Sequence, residues 1–132
     1  MTLIDTNVLI DVLKADSMWM PWCAQQLMLA RQAGPVAINW VVYAELQAHD
    51  GATQVADAFL ADQGIVIRDM TRESARAAAS AFKAYRQRGG SKTGVLPDFF
   101  IGAQALAEGW TLLTRDAARY KTYFPKLKLI CP

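Results

Sequence analysis

Thr2-Leu3-Ile4-Asp5-Thr6-Asn7-Val8-Leu9-Ile10-Asp11 opens the chain. The stretch reads as a short buried strand, a polar step, and the first turns of an amphipathic helix. Asp5 therefore stands at the C-terminal end of a strand, with Thr6 or Asn7 expected to cap the helix that follows. In open α/β sheets, ligands bind in the crevice beyond the strand ends, where loops and helix N-termini converge. An acid at that point is a candidate for chemistry.

The rest of the chain repeats the alternation. Trp19, Trp22, Cys23, Gln26, Leu27 and Ala30 form a helical stripe that Gly34-Pro35 ends, and Val36 to Asn39 is a strand. Val41 to Ala48 reads as a helix carrying Glu45, and a second helix with Val55, Phe59 and Leu60 on its apolar face stops at Gly64. Ile65 to Ile67 is a strand. Thr71 then caps a long helix with Ala75, Ala78, Ala79, Phe82 and Tyr85 inward and a basic face outward. Arg88 to Gly94 is a flexible loop, and Pro97 restarts a helix that runs to Gly109. Trp110 to Thr114 is a strand, Ala117 to Tyr123 a helical turn, and Leu127 to Ile130 a last strand. The pattern predicts an α/β fold with a mostly parallel central sheet flanked by helices on both faces.

At 132 residues with 53% hydrophobic and 20% charged residues, the chain predicts one folded domain, 1–132, and excludes a disordered one. A net charge of +2 is too small to bind nucleic acid by bulk attraction, so any basic patch is local. Cys23 and Cys131 lack metal-ligand spacing and are expected as buried thiols. No export signal is visible, and the longest uncharged stretch, Ser17 to Ala30, holds Pro21 and is too short to span a bilayer. The expected location is the cytoplasm, with no membrane contact.

Four acids occupy otherwise apolar or turn-like places: Asp5, Glu45, Asp98 and Asp116. Two carboxylates ~4 Å apart repel by about 4 kcal/mol at an effective dielectric near 20, so a cluster of them needs protons or a cation. Oxygen-only ligands favour Mg²⁺ or Mn²⁺, which binds through a few carboxylates, waters and substrate phosphate. That chemistry points to phosphodiester hydrolysis. Each acid also has a structural explanation: Asp98 as a helix-start charge, Asp116 as an N-cap. Glu45 lies among apolar neighbours where an unpaired carboxylate is costly. Asp11 and Asp50 read as surface charges.

Four segments carry a resemblance: Leu3 to Ile10, Glu45-Leu46, Leu96-Pro97-Asp98-Phe99-Phe100-Ile101-Gly102-Ala103, and Leu113-Thr114-Arg115-Asp116. At these positions, and over essentially its whole length, the chain resembles the PIN-domain family, especially the VapC-type toxin ribonucleases of bacterial toxin–antitoxin pairs. The resemblance implies a PIN-like three-layer sandwich and a Mg²⁺- or Mn²⁺-dependent endoribonuclease. Its acids would be Asp5, Glu45, Asp98 and Asp116, supported by Thr6, Asn7, Asn39 and Thr114. It also implies RNA as substrate, a cognate antitoxin as partner, and a homodimer. Where the family often has Ser or Thr before the Glu-bearing helix, this chain has Asn39.

Arg86, Arg88 and Lys92 precede Asp98 and are candidate RNA-backbone contacts, as is Arg115 beside Asp116. A solvated basic helix face is the plainer account of the first three. His49 is the sole histidine, which sets aside a ribonuclease working with two imidazoles. Met18, Trp19, Met20 and Trp22 are either core or a partner surface. The Gly-rich loop lacks the Lys-Ser/Thr ending of a nucleotide-binding P-loop. The alternatives are a haloacid-dehalogenase-type phosphatase, with Asn7 where that family has a second Asp, and a non-catalytic RNA- or antitoxin-binding protein.

Overall fold

In a computed structural model describing residues 1–15, 18–49 and 51–132, the alternation is realised. The order is β1 (Thr2–Ile4), α1 (Thr6–Lys14), α2 (Met20–Ala33), β2 (Val36–Asn39), α3 (Trp40–Ala48), α4 (Ala56–Gln63), β3 (Ile65–Arg68), α5 (Arg72–Gln87), α6 (Pro97–Glu108), β4 (Thr111–Leu113), α7 (Ala118–Tyr123) and β5 (Lys128–Ile130). The five strands lie in the order β3-β2-β1-β4-β5 and every pairing is parallel.

Successive strand side chains point to opposite faces. Leu3 and Ile4, Ala37 and Ile38, and Leu112 and Leu113 are all fully buried, so helices cover both faces of the central strands. This is the expected sandwich. β1 sits at the centre, between β2 and β4, and the chain leaves it at Asp5, where the strand order reverses direction.

Local chemistry sets most boundaries. Pro21 and Pro97 occupy first-turn positions of α2 and α6, where a missing N–H costs nothing. Gly64 and Gly109 end α4 and α6 with φ of +66° and +69°, a region that disfavours side chains with a Cβ. Thr71 caps α5 by accepting from the Ser74 N–H at 3.1 Å. The cap of α1, however, is neither Thr6 nor Asn7. Asp5 itself is extended and accepts from the Thr6 N–H at 2.7 Å, so the helix starts one residue earlier than expected.

Other expectations are corrected by packing. The inward face of α5 is Ser74, Ala78 and Ala81, with Phe82 and Tyr85 half-buried, while Ala75 and Ala79 face solvent. Alanine stripes are ambiguous because several faces carry them, and contact with α6 selects the one that also brings Phe82 and Tyr85 inward. Val55 is exposed, and Ala56 and Leu60 hold α4 to the core. Cys23 is buried but Cys131 only partly so. Trp19 and Trp22 pack against the core, whereas Met18 is 88% exposed. Asp50 lies outside the described residues. Among those residues no helix is long and apolar enough to cross a membrane.

Gly102 reports how tightly α6 meets α7. A Cβ there would lie 2.6 Å from the Phe124 ring and 3.0 Å from Tyr120, both buried side chains. Gly102→Ala is expected to cost about 1–3 kcal/mol through overpacking, read as a lowered urea midpoint. An unchanged midpoint would show that the two rings can give way.

Candidate active site

Asp5 is the organising residue. Its carboxylate is 4% exposed and accepts from the Thr6 N–H on Oδ1. On Oδ2 it accepts from the Thr114 hydroxyl at 2.7 Å, the Tyr120 hydroxyl at 3.0 Å and the Asn7 amide at 3.1 Å. Burial pushes its carboxyl from 3.8 up to about 6 against the pull of the Thr114 bond, and the nearby Asp98 charge adds to the rise. A buried anion is costly unless well bonded. These donors make the charged form tolerable, and a cation would make it favourable.

The supporting residues interlock. Asn7 gives its amide N–H also to the Thr114 hydroxyl at 3.2 Å, and its carbonyl oxygen accepts from the Arg115 N–H at 3.2 Å. The Thr114 hydroxyl oxygen accepts from the Asp116 N–H at 3.1 Å. The two bonds from Asn7 thereby tie the start of α1 to the loop after β4, and the third braces that loop. Asn39 acts through the backbone: its side-chain oxygen accepts from the Val42 N–H at 2.9 Å and caps α3, which carries Glu45. Thr6 donates to Glu45 Oε1 at 2.8 Å. Glu45 is half-buried, and burial, followed by the Asp98 charge, outweighs this bond to raise its pKa.

Asp98 sits in the first turn of α6, where the helix dipole favours an anion. It pairs with Arg119 at 2.8 Å. Asp116 is exposed, and its Oδ1 accepts from the Ala118 N–H at 3.4 Å. Two openings that share Asp5, Asn7 and Asp98 gather the acids. A cleft of about 520 Å³ is lined by Asp5, Asp98 and Asp116 together with Tyr85, Arg119 and Tyr123. A smaller one of about 310 Å³ is bordered by Asp5, Glu45, Asp98, His49 and Arg115. Both openings are also bordered by Asn7.

Several residues behave differently from their sequence-level reading. Asp11 is buried rather than a surface charge, ion-paired with the Arg115 guanidinium and contacted by the Cys23 thiol at 3.6 Å. Burial, with the Asp11 charge second, pushes that thiol up to about 12. Arg115 borders the smaller opening with its guanidinium engaged by Asp11. Arg86 donates to the Lys92 carbonyl at 2.8 Å, which folds the Gly-rich loop back onto α5. Arg88 lies 5.3 Å from the centre of the Tyr123 ring.

Tyr120 was not among the expected site residues. It is 1% exposed, and burial, then the Asp5 charge, hold its phenol well above the ordinary value, so it remains a donor. Its one signal in the sequence is position: four residues, about one turn, after Asp116.

The acids suit a hard divalent ion. Among the described residues no three His, Cys, Asp or Glu side chains stand close enough to grip an ion unaided. An open set of one or two carboxylates completed by water and substrate phosphate is the usual arrangement for Mg²⁺. Asp5 and Asp98, which border both openings, are the residues that would hold it, with Glu45 on one side and Asp116 on the other.

This fold and acid set define a class. The PIN-domain family model matches residues 2–125, and the chain belongs to the PIN-domain family. Solved structures agree on the fold. VapBC2 from Rickettsia felis bound to a DNA fragment from its promoter aligns with a TM-score of 0.77 at 22% identity, covering 99% of this chain and 98% of that one. DNA-bound VapBC from Salmonella typhimurium gives 0.73 at 14%, covering 98% and 96%. VapBC-1 from nontypeable Haemophilus influenzae gives 0.71 at 15%, again covering 98% and 96%. No curated protein sequence matches the chain.

Proposed function

We propose that this chain is a Mg²⁺- or Mn²⁺-dependent endoribonuclease and the toxin of a toxin–antitoxin pair. The observation that carries the reading is the seating of Asp5. A buried carboxylate with a raised pKa, held by Thr114, Tyr120, Asn7 and the Thr6 N–H, opens onto a cleft shared with Asp98 and Asp116. A carboxylate in a cleft, perturbed by desolvation and a neighbouring charge, is a functional-site candidate.

An ion held there would supply water activation and charge neutralisation at the attacked phosphodiester. The chain's own groups do the positioning. Thr6 orients Glu45, Asn7 and Thr114 fix the spacing between β1 and the Asp116 loop, and Tyr120 keeps one Asp5 oxygen turned inward. The phosphatase alternative places a second acid two residues after the first. Asn7 instead donates its amide to Asp5, which a carboxylate cannot do.

An antitoxin partner is supported by the fold's likeness to the VapBC complexes. A homodimer and a cytoplasmic location complete the reading. The decisive experiment is end-mapping of total RNA after brief induction, comparing the wild type with Asp5→Asn. New 5′ ends that depend on Asp5 support the proposal, and identical RNA in both cultures would refute it.

Arg88 and Lys92 are exposed beside the cleft and remain candidates for the RNA backbone. Replacing both with Gln is expected to weaken RNA binding across sequences and to lower the salt slope by about 0.7 per lost contact. An unchanged slope of log affinity against log salt would move the grip elsewhere.

A further inference from the structure

The larger cleft has a wall that metal chemistry does not use. It includes Tyr85 of α5 and Tyr123 of α7, both half-buried. Their rings meet edge-on at 6.2 Å and 67°. Phe99 buttresses both, at 5.6 Å and 5.3 Å between ring centres. Tyr85 is further fixed by the Gly-rich loop: its hydroxyl accepts from the Lys92 N–H at 3.3 Å, and a Cβ on Gly90 would overlap its ring. The exposed Arg88 guanidinium lies over the Tyr123 ring, 5.3 Å from its centre. Among the described residues lining this cleft Arg119 is the one cation, and it rests on Asp98.

We infer that this wall is a nucleobase subsite. One unpaired ribonucleotide beside the cleaved phosphodiester stacks its base on Tyr123 in place of the exposed Arg88 guanidinium, with Tyr85 as the adjoining side, and its phosphate draws Arg119 away from Asp98. The inference rests on the nuclease reading and deepens it.

Three observations converge. The cleft volume, about 520 Å³, lies within the range of pockets that hold small organic ligands, so there is room for a base beside a phosphate. Rigidly buttressed rings present stacking area without a large ordering cost, and base–aromatic stacking tolerates every base. Where no bound ion offsets them, the cleft's carboxylates repel a polyanion, so stacking and a cation such as Arg119, which exchanges one anionic partner for another, add the attraction at this wall. A base stacked within an A-form duplex cannot reach such a wall. The consequence is selection of unpaired RNA segments with little base preference at this position.

The test uses the full chain with Ca²⁺ in place of Mg²⁺ and a single-stranded oligoribonucleotide carrying 2-aminopurine, alone or annealed to its complement. Stacking is expected to quench the fluorescence of the single strand and not of the duplex. Tyr123→Leu is expected to weaken single-strand binding about tenfold or more, by the same factor at low and high salt. Tyr123→Phe, which keeps the ring, should stay within about twofold of the wild type. In cleavage assays with Mg²⁺, Tyr123→Leu should raise KM and spare kcat. Unquenched fluorescence, or a Tyr123→Leu affinity equal to the wild type, overturns the subsite. So does a loss shared by Tyr123→Phe, which would assign the effect to the hydroxyl. If Tyr123→Leu fails to fold, the wild-type quenching and the Tyr123→Phe affinity decide the matter. A wild type that cleaves RNA yet fails these tests refutes the subsite alone. A wild type that neither binds nor cleaves refutes the nuclease reading beneath it.

Discussion

Asp98→Asn is expected to lower kcat by roughly 10³-fold or more, the loss of several kcal/mol of transition-state stabilisation that a metal-holding carboxylate provides. Asp98 is the residue whose charge reaches both Asp5 and Glu45, and it borders both openings. Neutralising it removes half of the minimal carboxylate pair proposed to hold the ion. Folding should survive. The side chain is 36% exposed and its one ion pair, to a 40% exposed Arg119, belongs to the class worth about 0–1 kcal/mol. Single-turnover cleavage and a thermal melt on the same preparation check both halves. Wild-type rates in Mg²⁺ would remove Asp98 from the site. A collapsed melting temperature would reassign it to stability.

Mn²⁺ is expected to stabilise the protein by about 2.7 kcal/mol at a hundredfold excess over Kd, roughly 10 °C in a chain of this length. The gain should be larger at pH 7.5 than at pH 5. Burial holds the Asp5 carboxyl at about 6 in the folded chain against 3.8 otherwise, so the folded state binds the proton more tightly than the unfolded one. For the metal-free protein this contribution to stability is fully present below about pH 4 and is lost as pH rises through 6. Above 6 the ion meets an ionised, poorly solvated carboxylate; below it the ion must displace a proton. Calorimetric melts at the two pH values, with and without Mn²⁺, measure the difference. A shift that is absent, or greater at pH 5, would mean that Asp5 is not part of the ion's site.

Much of this molecule is legible without coordinates because the signals are local. Pro97 and Gly109 bracket α6, Gly64 ends α4, and Thr71 caps α5, each through backbone chemistry confined to one turn. The run Leu3-Ile4 beside Asp5 marks a strand end in the same way. The four acids stand out because each interrupts apolar or turn sequence, and for Asp5 and Glu45 burial makes an unneeded carboxylate costly.

The errors share the opposite property. Asp11 looks like a solvent-facing helix charge until Arg115, 104 residues away, is placed against it. Tyr120 goes unnamed in the sequence reading of its short helix until its hydroxyl meets Asp5 across 115 residues. The inward stripe of α5 is undetermined while alanines occupy several faces, and only contact with α6 selects Ser74, Ala78 and Ala81.

By itself, then, the sequence determined the alternation of strands and helices and the acid at the end of the first strand, and it singled out four candidate carboxylates, because propensity, capping and burial cost act within a few residues of the chain. Tertiary structure alone decided which oxygen of Asp5 is held by whom, that Arg119 rests on Asp98, and that two tyrosines from distant helices wall the cleft. Hydrogen bonds and ring contacts need ångström-scale proximity, and between residues 21 to 115 positions apart that proximity is created only when the sheet forms and the helices pack on it.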